Sequence, residues 1–393
     1  MQPLDDLVVV DLTRALAGPY CTMMLADLGA RVLKIEAPDG GDDTRGWGPP
    51  FLGGESAYFL SINRNKQSVT LNLKHPRGRD ILWRLLERAD VLVENFRPGA
   101  MDRLGLGYAA VHERVPRLVY CSISGFGQTG PYRERAAYDL IVQGMGGIMG
   151  ITGEPDGEPM RVGIAVADIC AGMFAAYAIV AALRARERTG RGQWIDAAML
   201  DGQVAWMTYM AANYFATGQN PPRAGSAHLN LVPYQPFPTR DGFVNVAVGS
   251  ESLWQRFCQA VGVPIADDPR FATNAARVAH RGELVGLLVP IFRGRTTAEW
   301  VARLLASGVP AGPIYQMSEV MADPQVRHRE MVVELEHPRA GRIAVNGVPV
   351  KLSATPGAVR TPPPVLGEHT EGVLRDLGLS ADEIAALREE RVV

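Results

Sequence analysis

Apolar residues in the first third of the chain form short runs, separated by stretches with helical periodicity. The first run, Leu7–Leu12, reads L-V-V-V-D-L, which is typical of a buried parallel strand. A Gly/Pro turn follows, and Pro19 favours the first turn of a helix that ends near Leu28. The other strands predicted in this part of the chain are Arg31–Glu36, the end of Asn63–Leu73, Val91–Glu94 and Leu118–Ser124. Strands that alternate with helices predict an α/β fold with a mostly parallel sheet.

The long apolar run Ile164–Leu183 contains one charged residue, Asp168. Small residues follow Asp168, arginines follow the run, and Gly190 is placed to end a helix. A lone carboxylate in apolar surroundings is costly unless hydrogen bonds or a helix N-terminus stabilise it. Asp168 is therefore either the N-cap of a buried helix or a catalytic carboxylate at the floor of a cleft. The run is long enough to span a membrane, but its Ala/Gly-rich composition and its acid favour a core helix, and we expect no membrane association.

The rest of the chain is divided by two polar segments. Pro38–Glu55 is rich in glycine and proline, which predicts a surface loop. Gly218–Phe237 is a longer loop of the same kind, and it predicts both a functional loop and a domain boundary. A helix at Glu251–Val261 and a capping box at Thr296–Glu299 follow. These patterns indicate a smaller α+β domain over residues 222–324.

Composition narrows the possible partners and the compartment. The chain has 393 residues, 47% of them hydrophobic, and a formal net charge of −2, so it can bury a large core. No block of basic residues is present, and we expect no nucleic-acid partner. The four cysteines lie far apart without the spacing of a metal site, so we expect free buried thiols and no metal. The N-terminus lacks the pattern of an export signal, and the expected localisation is cytoplasmic.

Two features invite the interpretation of a nicotinamide-dependent oxidoreductase, and both are weak. Glu36 ends the second predicted strand, where a dinucleotide-binding fold places its ribose-binding acid, but the first turn lacks the G-x-G-x-x-G cradle. A literal G-x-G-x-x-G occurs at Gly125, Gly127 and Gly130. Pro131 follows it in place of an apolar helix, and no second-strand acid lies at the required spacing. The glycines are better explained as a turn that a ligand or another backbone approaches closely.

Several segments together carry a resemblance to one family. They are D-L-T-R-A-L-A-G-P-Y, G-A-R-V-L-K-I-E-A-P-D-G-G-D-D-T-R, N-R-N-K-Q-S-V, V-E-N-F-R-P-G, C-S-I-S-G-F-G-Q-T-G-P, and Asp168 before a small-residue helix that ends T-G-R-G-Q. In number and order they resemble the class III (formyl-CoA-type) CoA-transferases over nearly the whole chain. The resemblance implies an interlocked homodimer of chains with a Rossmann-like large domain, residues 1–221 and 325–393, and the small domain 222–324. It also implies coenzyme A as part of the substrates and an aspartate nucleophile at Asp168.

The resemblance further implies which residues contact CoA. Carried over position by position, they are Leu16, Ala17, Leu71, Asn72, Leu73, Lys74, Asn95, Phe96, Arg97, Arg103, Ala137, Tyr138 and Asp139. The chain departs from the formyl-CoA enzyme at Leu16, where that enzyme has Gln, at Ala37, where it has Arg, and in the reduced glycine loop Val248–Ser252. These departures argue against formate and oxalate as the substrates. The segments G-D-D-T-R, H-L-N-L-V-P-Y-Q and P-P-P-V-L-G-E-H-T resemble the succinate:glutarate, dicarboxylate-using branch.

The chemistry accounts for the residue type at position 168. Exchange of CoA between two acids needs a carboxylate that carries the acyl group and then CoA as covalent intermediates. The alternative within the same fold is a 2-methylacyl-CoA racemase, which needs two acid/base groups beside the α-carbon. The racemase pattern has His where this chain has Tyr138, and tyrosine, with an unperturbed pKa of about 10, is a poor base at neutral pH. The candidates for binding a second substrate carboxylate are Arg45, Arg161, His228 and Asn230.

Overall fold

The computed structural model describes all 393 residues as thirteen strands and eighteen α-helices, with a short 3₁₀ turn at Asp43–Gly46. The strands are β1 (Val8–Asp11), β2 (Arg31–Glu36), β3 (Phe51–Leu52), β4 (Glu55–Ser56), β5 (Lys66–Thr70), β6 (Val91–Glu94), β7 (Val119–Ser124), β8 (Trp194–Ala198), β9 (Tyr234–Pro238), β10 (Phe243–Ala247), β11 (Ala311–Pro313), β12 (Val332–His337) and β13 (Gly341–Asn346). The helices are α1 (Ala17–Asp27), α2 (Ala57–Ile62), α3 (Pro76–Leu86), α4 (Ala100–Arg103), α5 (Tyr108–Arg114), α6 (Asp139–Met145), α7 (Ile148–Ile151), α8 (Val166–Thr189), α9 (Met199–Trp206), α10 (Thr208–Thr217), α11 (Glu251–Val261), α12 (Asn274–Ala279), α13 (Arg281–Phe292), α14 (Thr297–Ala306), α15 (Met317–Ala322), α16 (Pro324–His328), α17 (Thr370–Asp376) and α18 (Ala381–Glu389).

Six strands form one parallel sheet in the order β5-β2-β1-β6-β7-β8. Counted along the chain, this is the order 3-2-1-4-5-6 of doubly wound dinucleotide-binding folds. The order reverses between β1 and β6, so the loops after these two strands diverge and leave a crevice at the carboxyl edge of the sheet. The predicted α/β class with a parallel sheet is therefore confirmed, and the crevice is the expected place for a ligand.

Helices cover both faces of this sheet, and the side chains of β1 show why. Val9 packs with residues of α1 and α8 on one face, whereas its neighbour Val10 packs with residues of α3, α17 and α18 on the other. Consecutive residues of a strand point to opposite faces, so a strand buried on both sides needs an unbroken apolar run. Val8, Val9 and Val10 meet this need, and the buried Asp11 that ends β1 pairs with Lys66.

The helix α8 is the long apolar segment around Asp168, and it packs against α1. A Cβ added at Gly172 would lie 2.6 Å from the carbonyl oxygen of Ala17, so the two helices cross at a distance that only glycine permits. Gly190 ends α8 in a left-handed conformation with φ of 72°, as predicted. By length and composition alone α8 could cross a membrane, but 56% of its most apolar window is buried inside the protein, as in a core helix.

The chain divides into two compact units. The first contains Met1–Ile148, Arg161–Ala212 and Pro324–Val393, and the second contains Met149–Met160 and Asn213–Asp323. The second unit has a three-stranded antiparallel sheet, in the order β11-β10-β9, and its own aromatic core. It begins earlier than the predicted residue 222 and includes a segment that the sequence did not single out. The predicted domain ranges stay a prediction, because compactness alone does not show which parts fold independently.

The predicted surface loop Pro38–Glu55 is mostly exposed, but it is more ordered than its composition suggested. It contains the 3₁₀ turn and the strands β3 and β4, and Asp42, Thr44 and Glu55 are buried. Asp42 is buried because it pairs with Lys34 on the preceding strand β2. The exceptions to the predicted exposure are thus residues that have polar partners inside the protein.

Candidate active site

A cavity of about 880 Å³ opens beside the N-terminal turn of α8, and the partly buried carboxylate of Asp168 lies in its wall. Its volume is within the range of small-molecule sites, and its lining is mostly apolar. The other residues that line it near Asp168 are Ala15, Leu16, Tyr20, Trp47, Tyr58, Tyr138, Asp139, Arg161, Ile164, Ala165 and Ile169. All of them belong to the first unit.

The carboxyl group of Asp168 is held near the midpoint of its titration at neutral pH. Burial raises its pKa from 3.8 to about 7, and the neighbouring carboxylate of Asp139 raises it as well. A hydrogen bond from the backbone N–H of Ala17, at the start of α1, acts in the opposite direction. A carboxyl group in apolar surroundings whose pKa is tuned by specific neighbours is a frequent mark of a functional site.

Asp139, not Asp168, caps the helix α8. The residue before α8 is Ala165, which has no side-chain hydrogen bond to offer, and the backbone N–H of Ala167 donates to Oδ1 of Asp139 over 2.9 Å. The other oxygen of Asp139 accepts from Nε2 of Gln143 over 2.7 Å. The N-cap interpretation of Asp168 is therefore wrong, and its carboxylate is free for chemistry.

Sequence reasoning missed Tyr58, whose side chain lines the same cavity beside Trp47. Burial and the charges of Asp168, Asp139 and Asp42 raise the pKa of Tyr58 to about 12. The hydroxyl is thus a proton-bearing hydrogen-bond donor at any physiological pH. Only the Ser56 N-cap that starts its helix was readable from the sequence, because the approach of Tyr58 to Asp168 joins distant parts of the chain.

A second cavity, of about 530 Å³, lies at the carboxyl ends of β1, β2, β5 and β6, at the switch point of the sheet. The predicted CoA contacts Leu71, Asn72, Leu73, Lys74 and Phe96 line it together. Arg14 and Arg391, which were not predicted, add positive charge to its wall, and Ala37 lies there as well. A cavity at this edge that has cations in its wall has the chemistry to hold a phosphorylated nucleotide.

The remaining predicted CoA contacts are distributed around these two cavities. Leu16 lines the cavity of Asp168, with Ala17 directly after it, rather than the second cavity. Asn95 ties the loop after β6 to the loop after β1 through two hydrogen bonds with the backbone of Arg14, 2.9 and 2.8 Å long. Arg97 lines a third, smaller cavity. Arg103 approaches Gly99, and Ala137 packs against Gly125 of the glycine turn.

The four candidates for binding a substrate carboxylate have different surroundings. Arg45 is largely buried and makes two hydrogen bonds to Glu36, of 2.7 and 2.8 Å, while its guanidinium lies over the ring of Phe59. Its role in substrate binding stays a prediction, and these contacts argue against it, because they already use its charge and its donors inside the protein. Arg161 is exposed and lines the cavity of Asp168.

His228 and Asn230 lie in the second unit, in the long loop before β9. The backbone N–H of Asn230 donates to Nδ1 of His228 over 3.0 Å, and the guanidinium of Arg281 donates to the carbonyl oxygen of His228 over 2.7 Å. The loop is thus bound both by one of its own side chains, His228, and by Arg281 of α13. Whether either residue meets the substrate stays a prediction.

The fold and the site define an α/β protein with a partly buried carboxyl group in one cavity and a second cavity at the carboxyl edge of its parallel sheet. The sequence profile of CoA-transferase family III matches residues 4–370. The chain is 45% identical over 378 residues to the succinyl-CoA:glutarate CoA-transferase of Mus musculus, covering 96% of this chain and 87% of that protein. It is 46% identical over 387 residues to the succinate–glutarate CoA-transferase of Agrobacterium fabrum, covering 95% and 96%.

The solved structures agree with this relationship. A CAIB/BAIF family protein from Brucella suis superimposes with a TM-score of 0.86 at 43% identity, over 96% of this chain and 99% of that one. The protein therefore belongs to the CoA-transferase family III and is a CoA-transferase. The same relatives favour transfer over the racemase alternative.

Proposed function

We propose that the protein moves CoA from succinyl-CoA to a dicarboxylic acid such as glutarate, through a covalent thioester on Asp168. The observation that carries this proposal is the position of the Asp168 carboxylate. It is partly buried, does not cap α8, and lines a cavity large enough for an acyl-thioester. The substrates named for the similar mouse and Agrobacterium enzymes support the choice of acids.

The reaction proceeds in four balanced steps. The carboxylate of Asp168 attacks the thioester carbonyl, the C–S bond breaks, and a mixed anhydride and CoA thiolate form. The thiolate attacks the aspartyl carbonyl carbon, which releases succinate and leaves an aspartyl-CoA thioester. The acceptor carboxylate attacks this thioester and frees the thiolate again. The thiolate then attacks the acceptor acyl carbon of the new anhydride, which yields the new acyl-CoA and the free carboxylate of Asp168.

The surroundings of Asp168 support each demand of this sequence. A pKa of about 7 leaves roughly half of the Asp168 carboxyl groups ionised at neutral pH. The nucleophilic carboxylate is therefore present without being strongly basic. The Ala17 N–H and the Tyr58 hydroxyl are donors that an anionic tetrahedral intermediate requires. The mostly apolar lining disfavours water, which would hydrolyse the anhydride.

CoA would lie along both cavities. Its nucleotide end fits the second cavity, where Lys74, Arg14 and Arg391 offer positive charge to phosphates. Its thiol end would reach Asp168 past Leu16. Arg161 is the candidate that lines the cavity and has a free charge for the second carboxylate of the acid.

We also propose a cytoplasmic homodimer. The side of α8 that faces away from α1 carries an exposed apolar stripe, formed by Met173, Phe174, Tyr177 and Val180. Contiguous exposed apolar surface of this kind marks an interface, and the resemblance to class III enzymes points to a second copy of the chain as its occupant. The four free cysteines are all buried, which suits a reducing compartment.

The deciding experiment follows acyl transfer and the covalent intermediate together. The protein is incubated with succinyl-CoA and a panel of mono- and dicarboxylic acids, and the intermediate is trapped with hydroxylamine or borohydride. We expect a mass change on the peptide that carries Asp168, with new acyl-CoA formed fastest from dicarboxylates, and neither in Asp168→Asn. Transfer that persists in Asp168→Asn would contradict the proposal, and α-proton exchange of a 2-methylacyl-CoA without transfer would support the racemase instead.

His228 and its loop are proposed to contact the acyl group. The length of the loop and the hydrogen bonds that order it motivate this assignment. We expect His228→Ala to raise the KM of the acid without a matching change for the CoA thioester. An unchanged KM for every acid in the panel would remove His228 from the site.

A further inference from the structure

The segment that brings the Ala17 N–H to Asp168 is short and tightly turned. It connects β1 to α1 through Thr13, Arg14, Ala15 and Leu16. Ala15 has φ of 63°, in the left-handed region that residues other than glycine rarely adopt. Gly18 lies against Thr13, because a Cβ at Gly18 would be 2.3 Å from the Cβ of Thr13. A backbone held in such a conformation needs fixed partners on both sides.

Asn95 holds the backbone of Arg14, Asp11 accepts from the N–H and the hydroxyl of Thr13, and one buried ion pair supplies further partners. Lys34 on β2 and Asp42 in the following segment are joined over 2.8 Å, and both side chains are fully buried. The ammonium group of Lys34 also donates to the carbonyl oxygen of Thr13 over 2.9 Å. The other oxygen of Asp42, which also accepts from Thr44, accepts from the backbone N–H of Ala15 over 3.2 Å. The pair therefore grips the connection at two residues, on either side of Arg14.

A buried ion pair is poor evidence for a stabilising role, since an apolar pair of similar volume is often as stable. The hydrogen bonds from Lys34 to Thr13 and from Ala15 to Asp42 show that this ion pair also binds the backbone of the β1–α1 connection. We propose that Lys34 and Asp42 are positioning residues, which hold the β1–α1 connection so that the N–H of Ala17 stays directed at the carboxylate of Asp168. This inference rests on the proposed role of Asp168 as the nucleophile.

The consequence is a change in the titration of Asp168. The charged and titratable groups that act on Asp168 are Asp139, the first residue of α6, and Tyr58 on α2. Neither lies on the connection held by the pair, whereas Ala17 directly follows it, and the hydrogen bond from the Ala17 N–H favours the ionised form. If the connection relaxes, this bond is lost while the neighbours stay. The fraction of ionised Asp168 at neutral pH then falls.

The test compares Asp42→Ala with Asp90→Asn. Asp90 makes the same two kinds of bond, to the backbone N–H of Val8 and to Arg186, but on the amino side of the sheet. The rate of aspartyl thioester formation is measured in single turnovers from pH 5 to pH 9, with succinyl-CoA as the probe. We expect Asp42→Ala to lower the rate at pH 7 about tenfold, and to move the rise of the rate with pH upward by about 0.5–1 unit. In Asp90→Asn the rise stays in place.

A second variant covers a failure of Asp42→Ala to fold. The double substitution Lys34→Met with Asp42→Asn removes the charges together and leaves an amide oxygen for Ala15, so no buried charge is unpaired. We expect a smaller loss than in Asp42→Ala and a shift in the same direction. A lower rate with an unmoved pH profile in both variants would overturn the proposal. Wild-type protein that forms no thioester at all would contradict the proposed function instead, so the two failures are distinguishable.

Discussion

At the scale of single residues, the surroundings of Asp168 make the stability of the folded protein depend on pH. The pKa of Asp168 is raised to about 7 in the folded state, so folding favours its protonated form. The resulting stability is fully present below the unfolded pKa near 3.8 and is lost as the pH rises through 7. Above pH 7 the loss is on the order of 2–4 kcal/mol.

Asp168→Asn is therefore expected to unfold at a higher temperature than the wild type at pH 8. The amide cannot ionise, so the repulsion from Asp139 and the cost of burying a charge are both absent. The difference in Tm should shrink toward pH 4, where the wild-type carboxyl group is protonated. Calorimetry of both proteins across this range checks it, and a pH-independent difference would contradict the raised pKa.

Two arginines that looked alike in the sequence should respond oppositely to replacement. Arg45→Ala leaves Glu36 buried without its partner, so we expect a destabilisation of about 3–5 kcal/mol in chemical denaturation. The KM of the acid should change little in whatever fraction remains folded. Arg161→Ala should leave stability within about 0.5 kcal/mol and raise the KM of dicarboxylates more than that of monocarboxylates. The reverse pattern would return Arg45 to the substrate site.

The sequence pointed to Asp168 because a single acid interrupted a long apolar run, and a local anomaly of this kind is visible without a structure. It could not show that Asp139 takes over the capping of α8, or that Tyr58 lies close by. Both contacts join residues far apart in the chain, and propensity and periodicity report only on near neighbours. The contacts of Arg45 were hidden for the same reason, since Glu36 and Phe59 become its neighbours only after folding.

At the scale of elements, the crossing of α1 and α8 determines how Asp168 meets the Ala17 N–H. We expect Gly172→Ala to push the helices apart, because the new methyl group would lie 2.6 Å from the Ala17 carbonyl oxygen. The free energy of unfolding should fall by about 1–3 kcal/mol. At the assay temperature, kcat should fall by a larger fraction of its wild-type value than the folded population does. Denaturation curves and initial rates measure both quantities.

Gly286→Ala is the matched control for this substitution. Gly286 also lies inside a helix, α13, but no other atom is within 4 Å of the position of its Cβ. Alanine there should stabilise the protein by about 0.5–1 kcal/mol and leave kcat unchanged. Equal effects of the two alanines on kcat would mean that the crossing of α1 and α8 does not position the site.

Several strands and helices were predictable because each has one dominant sequence pattern, such as an apolar run or a helix cap. Arg31–Glu36 and Val91–Glu94 are strands with the predicted bounds, and Glu251–Val261 is a helix with the predicted bounds. The capping box at Thr296 and Glu299 is present as well. After β8 the chain forms two helices, α9 and α10, and Thr208 at the start of the second takes a positive φ of 33°. Nothing in the local sequence marks this break.

At the scale of the whole molecule, the exposed stripe on α8 should decide the oligomeric state. We expect Tyr177→Glu together with Val180→Glu to convert a dimer into a monomer, because two charges would be desolvated in an apolar interface. Light scattering after size exclusion measures the mass. Leu305→Glu, at a similarly exposed leucine of α14, is the control that should leave the mass unchanged.

A monomeric wild-type protein would refute the dimer outright. Binding of the wild type, but not of the double variant, to lipid vesicles would show that the stripe meets a membrane instead. The sequence led to the dimer only through the family resemblance, since an apolar helix long enough for a core or a membrane has no feature that identifies a subunit interface. The switch point of the sheet was likewise invisible, because strand order is a property of the folded chain.

The position of Asp139 has one more consequence. The carboxylates of Asp139 and Asp168 lie close together in apolar surroundings, so they repel each other whenever both are ionised. If Asp168 carries the CoA thioester, one of the two charges disappears and so does the repulsion. The charge of Asp139, the cap of α8, would then favour the thioester form of the enzyme over the free carboxylate form. The thioester is thereby held at a free energy closer to that of its donor, which suits an exchange between acids of nearly equal energy.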